Sequence, residues 1–185
     1  MRRLALLAAL LLAAPAMAET PAAGAPSLDK LVSVHGVLSF WMAGTGLGVG
    51  ARFQKTLLPE GVLKGGGGPS IIKDDIGIEG GVDFARASWG NGWGANELVF
   101  TVGGVWNFWL NENLAVYPKL ELMYRNVSLD EPAGCTIGGI NYCSNYSYGG
   151  IYFEGSAGAV YKMGSLFLKG ETSWRALHLG AGMTF

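Results

Sequence analysis

The sequence predicts an all-β fold: an antiparallel up-and-down transmembrane β-barrel of eight strands. Three observations predict it. Apolar residues recur at every second position from Leu31 to Phe185, the period of a strand rather than of a helix. Glycines, 30 in all, are scattered through these apolar stretches, where they would weaken helices. Charged residues fall on the faces opposite the apolar ones, so each strand has one greasy side and one polar side.

The strands are read at about 31–42, 46–56, 74–86, 97–109, 114–126, 149–161, 165–173 and 176–185. The last is the cleanest. Leu177, Leu179, Ala181, Met183 and Phe185 alternate with His178, Gly180, Gly182 and Thr184. Leu47, Val49, Ala51 and Phe53 alternate with Gly48, Gly50, Arg52 and Gln54. In 97–109 both faces are apolar, and Thr101 and Asn107 mark the odd positions as inward. The apolar parity flips near 43–46 and near 174–176. Each flip is read as a tight turn. If both were β-bulges, six strands would remain, and eight is the lower end for transmembrane barrels.

Composition agrees with an envelope protein. Half of the 185 residues are apolar and 15% are charged, against about a quarter charged in soluble domains. Residues 1–18 read as a signal peptide: Arg2 and Arg3, the apolar run Leu4–Ala14, Pro15, then Ala16-Met17-Ala18. Residues 19–30 read as a flexible leader and 31–185 as the barrel. Cleavage would remove two arginines and leave acidic residues in excess. With no basic patch, nucleic acid is not an expected partner.

Alternation alone does not say which face meets water. Three features favour apolar-out. Aromatics gather near strand ends, at Trp89, Trp93, Trp106, Trp109, Tyr124, Tyr161 and Trp174, as in the girdles of membrane barrels. The polar faces mix glycine with long charged side chains, which suits the narrow interior of an eight-stranded barrel. Strands of this length suit a tilted bilayer crossing. The inward charges would then be Arg52, Glu79, Asp83, Lys119, Glu121, Arg125, Glu154, Lys169 and Glu171. In a narrow lumen they must neutralise one another.

The ending LHLGAGMTF, residues 177–185, resembles the C-terminal targeting strand of bacterial outer-membrane barrels. Gly46–Phe53, GLGVGARF, resembles the glycine-rich strands of small barrels similar to outer membrane proteins A and X. The resemblance implies that barrel assembly machinery reads Leu177, Leu179, Ala181, Met183 and Phe185. Met183 departs from it, standing where that family often has an aromatic. It implies outer-membrane lipid as the surroundings and a periplasmic C-terminus. Counting back, 110–113 and 162–164 become periplasmic, and 87–96 and 127–148 extracellular. The link 57–73 comes out periplasmic yet long: either an unusual excursion or a different strand count before it.

The longest outer loop, 127–148, carries Cys135 and Cys143. An oxidising compartment favours a disulfide, worth about 2–3 kcal/mol for so short a loop. It would staple a loop that offers Ile140, Tyr142, Tyr146 and Tyr148 to a surface partner, or merely stiffen it. No phosphate-loop, zinc-protease or nucleophile-elbow motif is present, and no cofactor or metal is expected. His35 and His178 fall on the inner faces of strands that are neighbours in a closed barrel. They are read as hydrogen-bonded lumen residues, with a metal site or proton-coupled gate as the sharper alternative. The expected function is a small structural or surface-interaction barrel with a plugged lumen, not an enzyme. The alternatives are a lipid-modifying barrel enzyme, with His178 and Ser39 or Ser173 as its candidates, and a soluble periplasmic barrel that binds an apolar ligand.

Overall fold

Each long strand carries its large apolar side chains on one face and small or charged ones on the other, and the sheet closes with the greasy face outside. The computed structural model describes residues 28–40, 45–63, 73–90, 93–130, 136–137, 140–141 and 147–185. In chain order the strands are β1 (Leu31–Ser39), β2 (Gly46–Leu58), β3 (Lys73–Gly90), β4 (Trp93–Trp109), β5 (Leu114–Asp130), the two short pieces β6 (Thr136–Ile137) and β7 (Ile140–Asn141), β8 (Ser147–Met163), β9 (Leu166–Ser173) and β10 (Ala176–Thr184). β6 and β7 pair with each other. The other eight form a closed antiparallel barrel in the order β1-β10-β9-β8-β5-β4-β3-β2. β1 closes it against β10, with Leu31 opposite Thr184 and Ser39 opposite Ala176.

The faces are unambiguous. Val49, Phe53, Phe84, Phe100, Leu120, Ile151, Phe153, Leu179 and Phe185 are exposed on the outside. Arg52, Glu79, Asp83, Glu121 and Glu154 are buried inside. A soluble barrel has the reverse arrangement, so the apolar-ligand reading is excluded.

Neither parity flip is a bulge within one strand: β1 and β2 are separate antiparallel strands, with Ser39 opposite Gly46, and the second flip is a turn. β9 and β10 are joined through Trp174 and Arg175, whose turn is tied by the Ser173 hydroxyl, which accepts from the Arg175 and Ala176 amides at 3.1 Å. β8 and β9 turn through Gly164, at φ 66°, where a side chain would be strained. The β4–β5 ladder is interrupted between Val105↔Lys119 and Phe108↔Val116, where Pro118 has no N–H to give.

Four strands outrun the sequence reading at their outer ends. β3, β4, β5 and β8 extend to Gly90, Trp93, Asp130 and Ser147, so only residues 91–92 separate β3 from β4. The cause lies on the outer face. Above Phe84, Leu98 and Tyr124 it changes to Arg86, Asn96, Asn126, Ser128 and Asp130, and Asp130 joins Arg86 (2.7 Å) and Asn96 (2.9 Å). The greasy alternation ends where the sheet leaves lipid; the sheet itself does not.

The link between β2 and β3 stays on the same side as Leu31 and Phe185, with the strand count unchanged at eight. Its first part folds back on the rim. Asp74 accepts from the amides of Val62 (2.9 Å) and Leu63 (3.3 Å) and from the Trp106 indole (2.8 Å).

Gly103 faces inward, and a Cβ there would collide with the Leu120 carbonyl and Glu121. Its neighbour Gly104 faces outward, with nothing within 4 Å of a Cβ. Gly103→Ala should therefore destabilise the barrel by about 1–3 kcal/mol, the range for overpacking, and Gly104→Ala should change little. Heat-modifiable gel migration combined with urea unfolding in micelles checks this pair; equal effects would mean the faces are misassigned.

Candidate functional site

The nine residues read from the sequence as a lumen network all lie inside the barrel, at 8% exposure or less. Their grouping follows from register. Lys119 on β5 reaches three carboxylates: Glu171 at 2.6 Å, Glu79 at 3.0 Å and Glu121 at 3.1 Å. Lys169 on β9 also pairs with Glu79, and its ammonium lies 3.8 Å from Glu171. Arg52 on β2 holds both oxygens of Asp83, at 2.6 and 2.8 Å. Such a two-pronged contact is the strongest form of the pair. Arg125 meets a carboxylate absent from the sequence reading, Glu97, at 2.6 Å.

The second addition is Arg175. It belongs to the β9–β10 turn, yet its side chain is buried in the lumen at 1% exposure. Its guanidinium lies 3.1 Å from Asp83, 3.2 Å from Glu154 and 3.7 Å from Glu97. It thereby joins the Asp83 and Glu97 groups. Glu97 also accepts from the Ser39 hydroxyl at 2.9 Å. With His35 and His178 included, all eight barrel strands contribute to one network.

The two histidines meet over Asp83. Their ring centroids lie 5.0 Å apart, edge to face. His35 Nε2 is 2.9 Å from one Asp83 oxygen and His178 Nε2 is 3.3 Å from the other. The three groups converge as metal ligands would, with donor atoms within 4.8 Å of one another. The rest of the shell argues otherwise. Asp83 already takes two bonds from Arg52 and one from Arg175, and a dication would face two guanidiniums at that carboxylate. The residues fit a hydrogen-bonded anion.

The serines considered beside His178 are engaged elsewhere. Ser39 donates to Glu97 and Ser173 ties its own turn. Among the described residues no serine reaches either histidine.

Apolar layers close the ionic one at both ends. At the end where Leu31 and Phe185 lie, Leu28, Leu31, Val105, Trp109, Ala115, Tyr117, Val160 and Phe167 form a buried cluster. Trp109 is thus a correction: read as a girdle aromatic, it is fully buried, its indole donating to Asp75 at 2.7 Å. The odd parity that points Thr101 inward also points Trp109 inward. Leu28, within the stretch read as a leader, is wholly buried in this cluster. On the outer side Val37, Ala85, Ala87, Ala95, Val127 and Ala176 form a second cluster.

Of the remaining sequence-derived residues, Leu179, Met183 and Phe185 are 62%, 54% and 74% exposed on the outer face; Leu177 and Ala181 share it, partly buried. Cys135 and Cys143 lie outside the described residues, as do Tyr142 and Tyr146.

A closed eight-stranded antiparallel barrel, apolar outside and ionically neutralised inside, defines a transmembrane β-barrel of the bacterial outer membrane. No protein-family model matches the chain, and no curated protein matches its sequence. Among solved structures it is similar to Ail, the attachment invasion locus protein of Yersinia pestis, in complex with the heparin analogue sucrose octasulfate. The TM-score is 0.55 at 11% identity, covering 85% of this chain and 99% of Ail. It is likewise similar to Neisserial surface protein A, at TM-score 0.53 and 10% identity, covering 84% of this chain and 95% of that one. At these identities the likeness is one of fold.

Removing one partner from a buried network strands the others, at about 3–5 kcal/mol; an exposed pair is worth about 1 kcal/mol or less. Asp83→Asn, which uncouples Arg52 and Arg175, should therefore cost several times more than Arg86→Ala at the exposed Asp130 pair. Urea unfolding of both variants in micelles measures this, and similar costs would contradict a shared lumen network.

Proposed function

We propose that this protein is a non-conducting, non-enzymatic outer-membrane barrel that holds a recognition surface outside the cell. The single observation that carries this reading is the layered lumen: an ionic middle between two buried apolar clusters. Such an interior stabilises a barrel and leaves no room for a passage. No serine–histidine arrangement that would support lipid chemistry occurs among the described residues.

The outer end supports the recognition half. β3, β4, β5 and β8 rise beyond the lipid-facing residues and carry the 131–146 segment at their tip. That segment and residues 40–45 contain no Lys or Arg, but they hold Trp41, Tyr142 and Tyr146 with Asn141, Ser144 and Asn145. Arg86, the basic residue on the outer face of the projecting sheet among the described residues, is paired with Asp130. Ail's sulfated ligand therefore has no counterpart in this surface chemistry. Aromatic and amide groups suit a neutral partner, such as a protein or an uncharged glycan.

In this reading Cys135 and Cys143 are joined and staple the loop, and the Leu177–Phe185 strand is the part that barrel assembly machinery reads. Two outcomes are expected. Intact-mass measurement should show alkylation of both cysteines only after reduction; alkylation of the unreduced protein would remove the staple. Deleting residues 132–145 should leave heat-modifiable migration intact and abolish adherence of displaying cells to cultured-cell surfaces. Unchanged adherence would overturn the recognition role.

A further inference from the structure

β8 is paired unequally on its two edges. Against β5 it is paired from Ser147↔Ser128 down to Tyr161↔Leu114. Against β9 pairing starts only at Ser156↔Ser173, because β9 turns back at Trp174 and Arg175. Among the described residues, no strand pairs with the second edge of β8 from Gly149 to Gly155. The barrel wall therefore has a notch above the β9–β10 turn.

The notch begins at lipid level. Ile151 and Phe153 point outward at 69% and 75% exposure, and Ile151 lies opposite Tyr124, the last lipid-facing residue of β5. Gly149 lies opposite Asn126, in the polar zone. An exposed backbone edge is costly at the lipid boundary, where water does not satisfy it. A second, independent observation lies on the lumen side of the notch. Glu154 Oε1, Ser156 Oγ and Arg175 Nη1 are buried with no hydrogen-bond partner. Glu154 lies on the notched stretch and Arg175 in the turn below it, each 1% exposed, with Arg175 Nη1 3.7 Å from Glu97; Ser156 sits at the first β9 pair.

We propose that the Gly149–Gly155 edge of β8 accepts an extended segment of another polypeptide as an added antiparallel strand. The proposal rests on the surface-recognition reading and names its docking site. Three arguments fix the occupant. A lipid chain has no groups to complete a backbone ladder. A second copy in the same membrane is the wrong partner: β8 runs from surface to periplasm in every copy, so a two-fold axis along the membrane normal makes the two edges cross instead of aligning antiparallel. A partner strand meets the side-chain demands as well. Its outward residues extend the apolar face of Ile151 and Phe153. One inward residue, best Asn or Gln, supplies a donor to Glu154 and an acceptor to Arg175.

The test uses the full mature barrel in nanodiscs and a fluorescent nonapeptide, Thr-Val-Thr-Val-Gln-Val-Thr-Val-Thr. The control is the same peptide N-methylated at alternate residues along one edge. Saturable binding is expected, with amide shifts confined to Gly149–Gly155, and at least a tenfold loss with the N-methylated peptide. Adjacent residues direct their N–H groups to opposite edges. One of Ile151→Pro and Tyr152→Pro should therefore keep heat-modifiable migration and lose binding at least tenfold, while the other weakens the β5 ladder. Equal binding of the N-methylated peptide, shifts elsewhere, or no binding by a folded barrel would overturn the proposal. So would an edge already protected by the chain's own surface loop, or self-association of the barrel without peptide. Loop-dependent adherence together with a failure to bind peptide would sink this inference and leave the surface reading standing.

Discussion

A lumen this narrow does not tolerate an unmatched charge, and the rest of the structure is arranged around that constraint. Taking a charge out of water costs several kcal/mol, repaid only by close partners with good geometry. Here the central carboxylates are shared. Glu79 serves Lys119 and Lys169; Asp83 serves Arg52, Arg175 and both histidines. Since all eight strands contribute, closure of the sheet and neutralisation of the interior are one event. The inward glycines follow from it. Gly103 makes room for Glu121, as Gly50 does for Asp83 and His35. The lipid face is free of these demands and carries large apolar residues.

The class of fold and the inward faces were legible because period two is the same inside and outside the barrel. Once Arg52, Glu79 and Lys119 define one face, every second residue along each strand belongs to it. Glu97 was within reach of that rule, since it shares parity with Thr101 and Asn107. Trp109 shares it too, but its hydrophobicity and its place at a strand end pointed to the girdle. Arg175 was out of reach: it sits in a turn, where parity says nothing, and only the closed barrel brings it to Asp83, 92 residues away in sequence. Leu28 was hidden for a similar reason, lying outside the first strand's alternation.

The outer end was misjudged in length because lipid, not the sheet, sets the greasy signal. Above Phe84 and Tyr124 the exterior meets water and turns polar, while Ala85, Ala87 and Ala95 continue the inner face. The strands run on where the membrane stops. This places a four-stranded projection beneath the longest loop, and among the described residues it leaves β8 with no strand on its second edge beside the short β9–β10 hairpin.

The central claim is that charge pairing and apolar layers fill the lumen completely. Single-channel recording of the purified protein in planar bilayers tests it most directly. The account predicts a flat baseline after insertion, with heat-modifiable, folded protein recovered from the same preparation. Stable, reproducible conductance steps from that folded protein would contradict it.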